Sequence, residues 1–311
     1  MIIFPLQPSS FSKIMRTFDD DNIKEFKEMD KIKILVAQHK AANVFKNDVY
    51  TPIQVGKAIS KVDLGILGDD TGDNISKLNP FYSELTAQYW GWKNLNNVEY
   101  IGLSHYRRYF ETEFTAENID EQIKGYDIIL SKKVIFGTNL LTWLSQSLIP
   151  EDIALFYLYM TKRYADNMEV FNAFYQKGNK LNAANMFVCK KSLFNEFCEW
   201  QFGILEDMRE ILPLSPYSRE RRILGYFSET LLPFYAFQKG LRVKEEPVVS
   251  MVGEKSKSSL ISRLREIKTD ILFNRKDRTY QVADASLVGL RQDGLLDKLE
   301  EVVDRRNKTS K

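Results

Sequence analysis

After an arm over residues 1–30, with an acidic run at Asp19, Asp20 and Asp21, the chain reaches Lys31-Ile-Lys-Ile-Leu-Val-Ala37. That apolar, β-branched run predicts a buried strand. Thr51-Pro52-Ile53-Gln54 has the residue order of a capping box with proline in the first turn, and predicts a short helix to about Ser60. Leu64 to Leu67 is a candidate short strand that runs into a polar loop from Gly68 to Ser76. Asn79-Pro80 opens a helix to about Asn94, where Phe81, Leu85, Tyr89 and Trp92 recur on one face and read as core. Tyr100–Leu103 and Tyr126–Leu130 predict strands, and residues 139–177 an aromatic-rich helical region. Asn185–Cys189 predicts a strand, followed by a helix from about Ser192 to Glu210. A helix over roughly 219–239 contains Pro233, a kink, and stops at Gly240; Leu241 to Val249 reads as a last strand.

The strand–helix alternation over residues 31–250 predicts an α/β fold with a mainly parallel sheet flanked by helices. Ligands of such sheets sit at the carboxyl ends of strands, so the loops after 37, 67, 103 and 188 are the first places for a site. Residues 31–253 make up this domain. From 254 to 311 aromatics thin out and Lys+Arg number 14 against 10 Asp+Glu. Helices near 258–273 and 286–306 make this a charged helical C-terminal extension, which reads equally as a membrane-surface segment or as a solvated cap.

Composition narrows the function. With 44 Lys+Arg and 42 Asp+Glu the net charge is +2, so no strong field selects a nucleic acid. Two histidines exclude a multi-histidine metal site, and two cysteines nine apart match neither a disulfide framework nor a zinc knuckle. No stretch reaches the roughly 18–20 apolar residues of a membrane span. Met1 to Leu6 is interrupted by Pro5, and no cleavable signal core follows. The expected location is the cytoplasm.

No GxGxxG, Walker, GxSxG or HExxH pattern occurs. Four polar groups at expected strand ends or helix starts remain. His105-Tyr-Arg107-Arg108 suits a diphosphate, because guanidinium forks onto phosphate oxygens and keeps its charge; the alternative is a surface charge pair beside a satisfied histidine. Asp69-Asp70-Thr-Gly-Asp73-Asn74 suits ribose or sugar hydroxyls or a hard cation, or is a turn. Glu229, among aromatics in Gly225-Tyr-Phe-Ser-Glu229, suits a base of raised pKa, or is a helix-surface glutamate. Asn182-Ala-Ala-Asn185-Met186 meets a sugar or is a turn.

Six blocks in this order resemble one family. They are Tyr50-Thr-Pro-Ile-Gln-Val-Gly56, Asp70-Thr-Gly-Asp-Asn-Ile-Ser76, Glu84-Leu-Thr86 with Tyr89-Trp90 to Asn94, Ile101 to Phe110, Asn185-Met-Phe187, and Gly225-Tyr-Phe-Ser-Glu229. The family is that of bacterial capsular-polysaccharide, exopolysaccharide and O-antigen glycosyltransferases long filed as a domain of unknown function. The resemblance implies a GT-A-like, Rossmann-like fold and a UDP-sugar donor, UDP-galactofuranose favoured. It further implies inversion and a lipid-linked saccharide acceptor, reached from the cytoplasm or peripherally at the inner membrane surface. It puts the donor on His39, Asp70, Asp73, Asn74, His105, Arg107 and Arg108, the acceptor on Asn185 and Tyr226, and the base at Glu229. GT-A enzymes usually hold a divalent metal with Asp-x-Asp after the fourth strand. Here Ile101-Gly-Leu-Ser-His-Tyr stands in that place, so no cofactor is firmly expected. If Mn or Mg binds, Asp69, Asp70 and Asp73 are its candidate ligands. A non-catalytic carbohydrate- or nucleotide-binding protein, or a phosphate-handling hydrolase, would use the same groups.

Overall fold

The computed structural model of the chain describes residues 29–42, 44–250, 260–274 and 279–309, so the arm over 1–30 lies almost wholly outside the described residues. The apolar run at 31–37 becomes β1 (Asp30–Gln38), with Ile34 and Val36 fully buried. β2 (Tyr50–Gln54) and β3 (Leu67–Gly68) follow on one side. α1 (Asn79–Tyr82) and α2 (Leu85–Asn94) lead to β4 (Val98–His105) on the other. β5 (Arg108–Phe110) turns straight back, and α3 (Ile119–Gln122) leads to β6 (Ile128–Ser131) and β7 (Val134–Ile135). α4 (Leu140–Ser147), α5 (Pro150–Arg163) and α6 (Met168–Phe171) precede β8 (Lys180–Leu181) and β9 (Phe187–Lys190). α7 (Lys191–Ile211), α8 (Ile223–Gln238), β10 (Val243–Glu246) and β11 (Val248–Ser250) come next. The last helices are α9 (Leu260–Asn274), α10 (Asp284–Gln292) and α11 (Leu295–Thr309).

The sheet order is β10-β6-β9-β4-β1-β2-β3, with β5 and β11 paired to each other beside β4. β1 is parallel to β2 and β4, β2 to β3, and β6 to β10; β9 reverses between β4 and β6, and β5 runs antiparallel to β4 and β11. This is the expected mainly parallel α/β sheet. Alternation along β4 sends Ile101 and Leu103 to the helical core and Tyr100 to a second cluster on the other face. Between them Gly102 sits so close to β9 that a Cβ would lie 2.8 Å from the Phe187 carbonyl oxygen.

Three expectations change. The capping-box sequence at Thr51–Gln54 is strand β2, because Tyr50 and Ile53 are buried in register against β1. Proline is tolerated there since β3 reaches only Ile53 and Gln54, leaving the Pro52 nitrogen facing no partner strand. The helix over 79–94 is broken at Ser83, whose φ is 53°. Asn79 Nδ2 donates to the Ser83 carbonyl at 2.7 Å and to Thr86 Oγ1 at 3.1 Å, which holds the break in shape. The strand over 241–249 is two strands divided at Pro247, where the chain passes from β6 to β5.

The C-terminal helices complete the core. Tyr280, Leu290, Leu299, Val302 and Val303 belong to the cluster formed by α5, α7 and α8. Arg306 Nε donates to the buried carboxylate of Asp207, which also accepts from Tyr159 OH at 2.6 Å. Burying one large apolar side chain is worth about 1.5–3 kcal/mol, against a total domain stability of about 5–15 kcal/mol. Removing 279–311 is therefore expected to abolish the cooperative thermal transition. A truncated chain that melts within a few degrees of the full one would contradict this packing.

Candidate active site

A cleft of about 550 Å³ opens at the carboxyl ends of β1, β2 and β4. The end of β1 and the residue after it supply Ala37 and His39, and the end of β4 with the turn into β5 supplies His105, Tyr106, Arg107 and Arg108. The helix break contributes Ser83 and Glu84, and the segment before α8 contributes Ser218, Arg221 and Arg222. The break at Ser83 is thus what exposes Glu84 to the cleft. Arg222 Nε donates to Ser83 Oγ at 2.9 Å and ties the two walls together.

The cleft is cationic. Arg107, Arg108, Arg221 and Arg222 form no ion pair with a carboxylate among the described residues. Arg107 lies over the Tyr106 ring at 4.9 Å and Arg222 over the Tyr226 ring at 5.7 Å. Arg221 is oriented by the carbonyls of Ser215 and Pro216. His39 stands edge-on to Tyr106, with ring centroids 5.3 Å apart. Partial burial, reinforced by Lys40, Arg107 and Arg222, lowers its pKa and favours the neutral ring.

Behind the Glu84 wall lies a polar node. Ala184 and Asn185 are consecutive non-glycine residues with φ of 79° and 50°, a conformation that costs about 1–3 kcal/mol per residue. His105 Nε2 donates to the Ala184 carbonyl at 2.6 Å. The Ala184 amide points at Glu229 Oε2, 3.4 Å away, and Asn185 Nδ2 donates to Glu84 Oε1 at 2.7 Å. Ser131 Oγ anchors the same turn through the Ala183 carbonyl at 2.7 Å. Burial pushes the Glu229 carboxyl up to about 7, and the neighbouring charge of Glu84 adds to the shift. Arg108 and Arg222 act on it in the opposite direction.

His39, His105, Arg107 and Arg108 are brought together in one cleft. Glu229 and Asn185 stand in the node behind it, and Tyr226 stacks beneath Arg222. Asp70, Asp73 and Asn74 do not line the cleft: Asp73 accepts from Tyr89 OH at 3.2 Å, and Asn74 Nδ2 donates to the Gly72 carbonyl at 2.9 Å. Asp69 is fully buried, and its two oxygens take the Gly56 and Lys57 amides and Ser76 Oγ. That donor set does not fit a divalent cation. Among the described residues no three His, Cys, Asp or Glu side chains are arranged to hold one, and His105 ends β4 where a carboxylate pair would be needed. Sequence reading missed Glu84 as a site residue, and Arg221 and Arg222. The signal for the arginines was the cationic run just ahead of Gly225–Glu229; nothing local marked the helix break.

Residues 33–240 match the family described as "Domain of unknown function (DUF4422)". There is no match among curated proteins. Among solved structures the chain is similar to one titled "WbbM bifunctional glycosytransferase apo structure", at 30% identity and a TM-score of 0.65. The match covers 74% of this chain and 47% of that one, so the chain spans about half of its neighbour's length. The mainly parallel sheet flanked by helices agrees with the GT-A-like fold expected from the sequence. The chain belongs to the DUF4422 family.

Proposed function

We propose that this DUF4422 protein is an inverting glycosyltransferase. It moves a hexosyl group, galactofuranose favoured, from a UDP-sugar to a lipid-linked saccharide at the inner membrane face. The observation that carries this reading is one cleft, at the carboxyl ends of parallel strands, lined by arginines without an ion pair among the described residues and by Glu84, with the Glu229 carboxylate in the node directly behind it. The likeness to WbbM supports the reaction class. The arginines receive the diphosphate, and His39 presents a neutral ring to the donor. Glu229 takes the proton of the acceptor hydroxyl as that oxygen attacks the anomeric carbon. The bond from that carbon to the diphosphate breaks on the opposite face, and UDP leaves with its growing charge held by preorganised guanidinium groups. His105, Asn185 and the Ala184 turn keep the carboxylates in place.

The test is a thermal-shift panel of UDP- and dTDP-sugars, with and without EDTA. UDP-sugars are expected to stabilise the protein and dTDP-sugars to do so less. Because β4 ends in His105 and not in a carboxylate pair, and arginines line the cleft beside it, the shift and the transfer rate should persist in EDTA. Loss of both in EDTA with recovery in Mn²⁺ or Mg²⁺ would overturn the metal-free reading.

Glu84 is expected to tune the base. With its charge removed in Glu84→Gln, the second cause of the raised Glu229 pKa disappears while burial remains. The acidic limb of the transfer–pH profile should move to lower pH without vanishing. An unmoved limb would uncouple the two carboxylates, and a lost limb would make Glu84 the base.

A further inference from the structure

α9 docks through Thr269 and Asp270 and turns an apolar arc out. Leu264, Ile267, Ile271 and Leu272 fall on one arc of the helix and are 65%, 56%, 47% and 42% exposed. The opposite arc meets the body. Asp270 Oδ2 pairs with Lys180 Nζ at 2.9 Å and its Oδ1 accepts from Asn179 Nδ2 at 3.3 Å. Thr269 lies 4.0 Å from the Cβ position of Gly137. Val134, on the strand β7 that α9 touches, is a further exposed apolar side chain. A helix that merely capped the core would present the reverse arrangement, as α11 does with Leu299, Val302 and Val303.

Positive charge flanks this ridge. Lys268 lies within the apolar arc and Arg265 at its margin, both exposed. Over residues 254–281 the sequence holds 8 Lys+Arg against 4 Asp+Glu. Long cationic side chains with apolar stems beside an aliphatic ridge suit the boundary between anionic headgroups and acyl chains. A second copy packed ridge to ridge would set Lys268 and Arg265 against the same cations of its mate.

We propose that α9 is an interfacial anchor that lies on an anionic lipid surface. Leu264, Ile267, Ile271 and Leu272 enter the acyl boundary, and Lys268 and Arg265 meet the lipid phosphates. The inference rests on the proposed function only in that a lipid-linked acceptor gives surface binding its purpose.

The test is co-sedimentation of the full chain with phosphatidylcholine vesicles, with and without about 30% phosphatidylglycerol. The wild type is expected to bind the anionic vesicles at least about tenfold more than the neutral ones. The triple variant Leu264→Ser, Ile267→Ser, Ile271→Ser should lose at least about tenfold in binding, as should Arg265→Glu with Lys268→Glu. Both should keep the wild-type melting temperature, because the altered side chains are exposed. A wild type indifferent to phosphatidylglycerol, or a serine variant that binds equally, overturns the anchor. So does a lipid-free dimer that the serine variant abolishes, since a second copy would then cover the ridge. Failure of the glycosyltransferase reading shows separately, as no UDP-sugar thermal shift in any variant.

Discussion

Glu229→Gln is expected to keep UDP-sugar affinity close to that of the wild type while lowering transfer by roughly 10²–10⁴-fold, the usual worth of a general base. The carboxylate acts on the acceptor proton alone, so its loss is felt in the transition state and not in donor binding. The carboxyl is raised to about 7 by burial and then by Glu84. Wild-type transfer should therefore climb with pH up to about 7 and level off, and the variant should lack that limb. Stability gives a second readout of the same group. A carboxyl whose folded pKa exceeds its unfolded value of 4.5 binds its proton more tightly when folded. Its stabilising contribution is complete below pH about 4.5 and lost as pH rises through about 7. The variant should melt with the wild type at pH 4.5 and above it at pH 8. If Glu229 were instead a structural anchor, glutamine would lower the melting temperature at pH 8 and weaken donor binding and transfer together.

The second large effect is expected at the arginines. Arg107→Ala or Arg108→Ala should each lower kcat/KM for the donor by at least about tenfold, as the loss of a charge-assisted contact worth about 1.5–3 kcal/mol requires. Lysine at either position should restore only part, because an ammonium lacks the planar fork. Arg222→Ala belongs in the same series. It faces the same cleft and holds Ser83, so its loss should weaken donor use and loosen the wall that carries Glu84. Normal kcat/KM in all three alanine variants would move the diphosphate elsewhere.

The order of strands and helices was legible because most elements are long and strongly patterned. β1, β4, α7 and α8 follow their apolar runs, and Gly240, with φ of 62°, ends α8 where expected. β2 was misread because a Thr-Pro-x-Gln run fits a helix start and an edge-like strand equally well locally. Only pairing with β1 decides between them. Ser83 was not read: its break is held by Asn79 and Thr86 within the same run and by Arg222 from the distant segment before α8. For the site, Arg107 and Arg108 stood out as an adjacent pair at a strand end. Glu84 looked like an ordinary helix residue. Its place opposite Glu229 depends on the Ala184–Asn185 turn, which no local pattern announces. In the loop at 69–74, Asp69 is used on backbone amides and on Ser76, and Asp73 on Tyr89, contacts that no local pattern announces.

The most direct measurement is the anomeric configuration of the product, read by proton NMR after incubating the protein with UDP-galactofuranose and a lipid-linked saccharide acceptor. The account predicts acceptor-dependent release of UDP and a glycosidic bond of inverted configuration, formed by the wild type and lost in Glu229→Gln. A retained configuration, UDP release without acceptor, or donor binding with no product would contradict it.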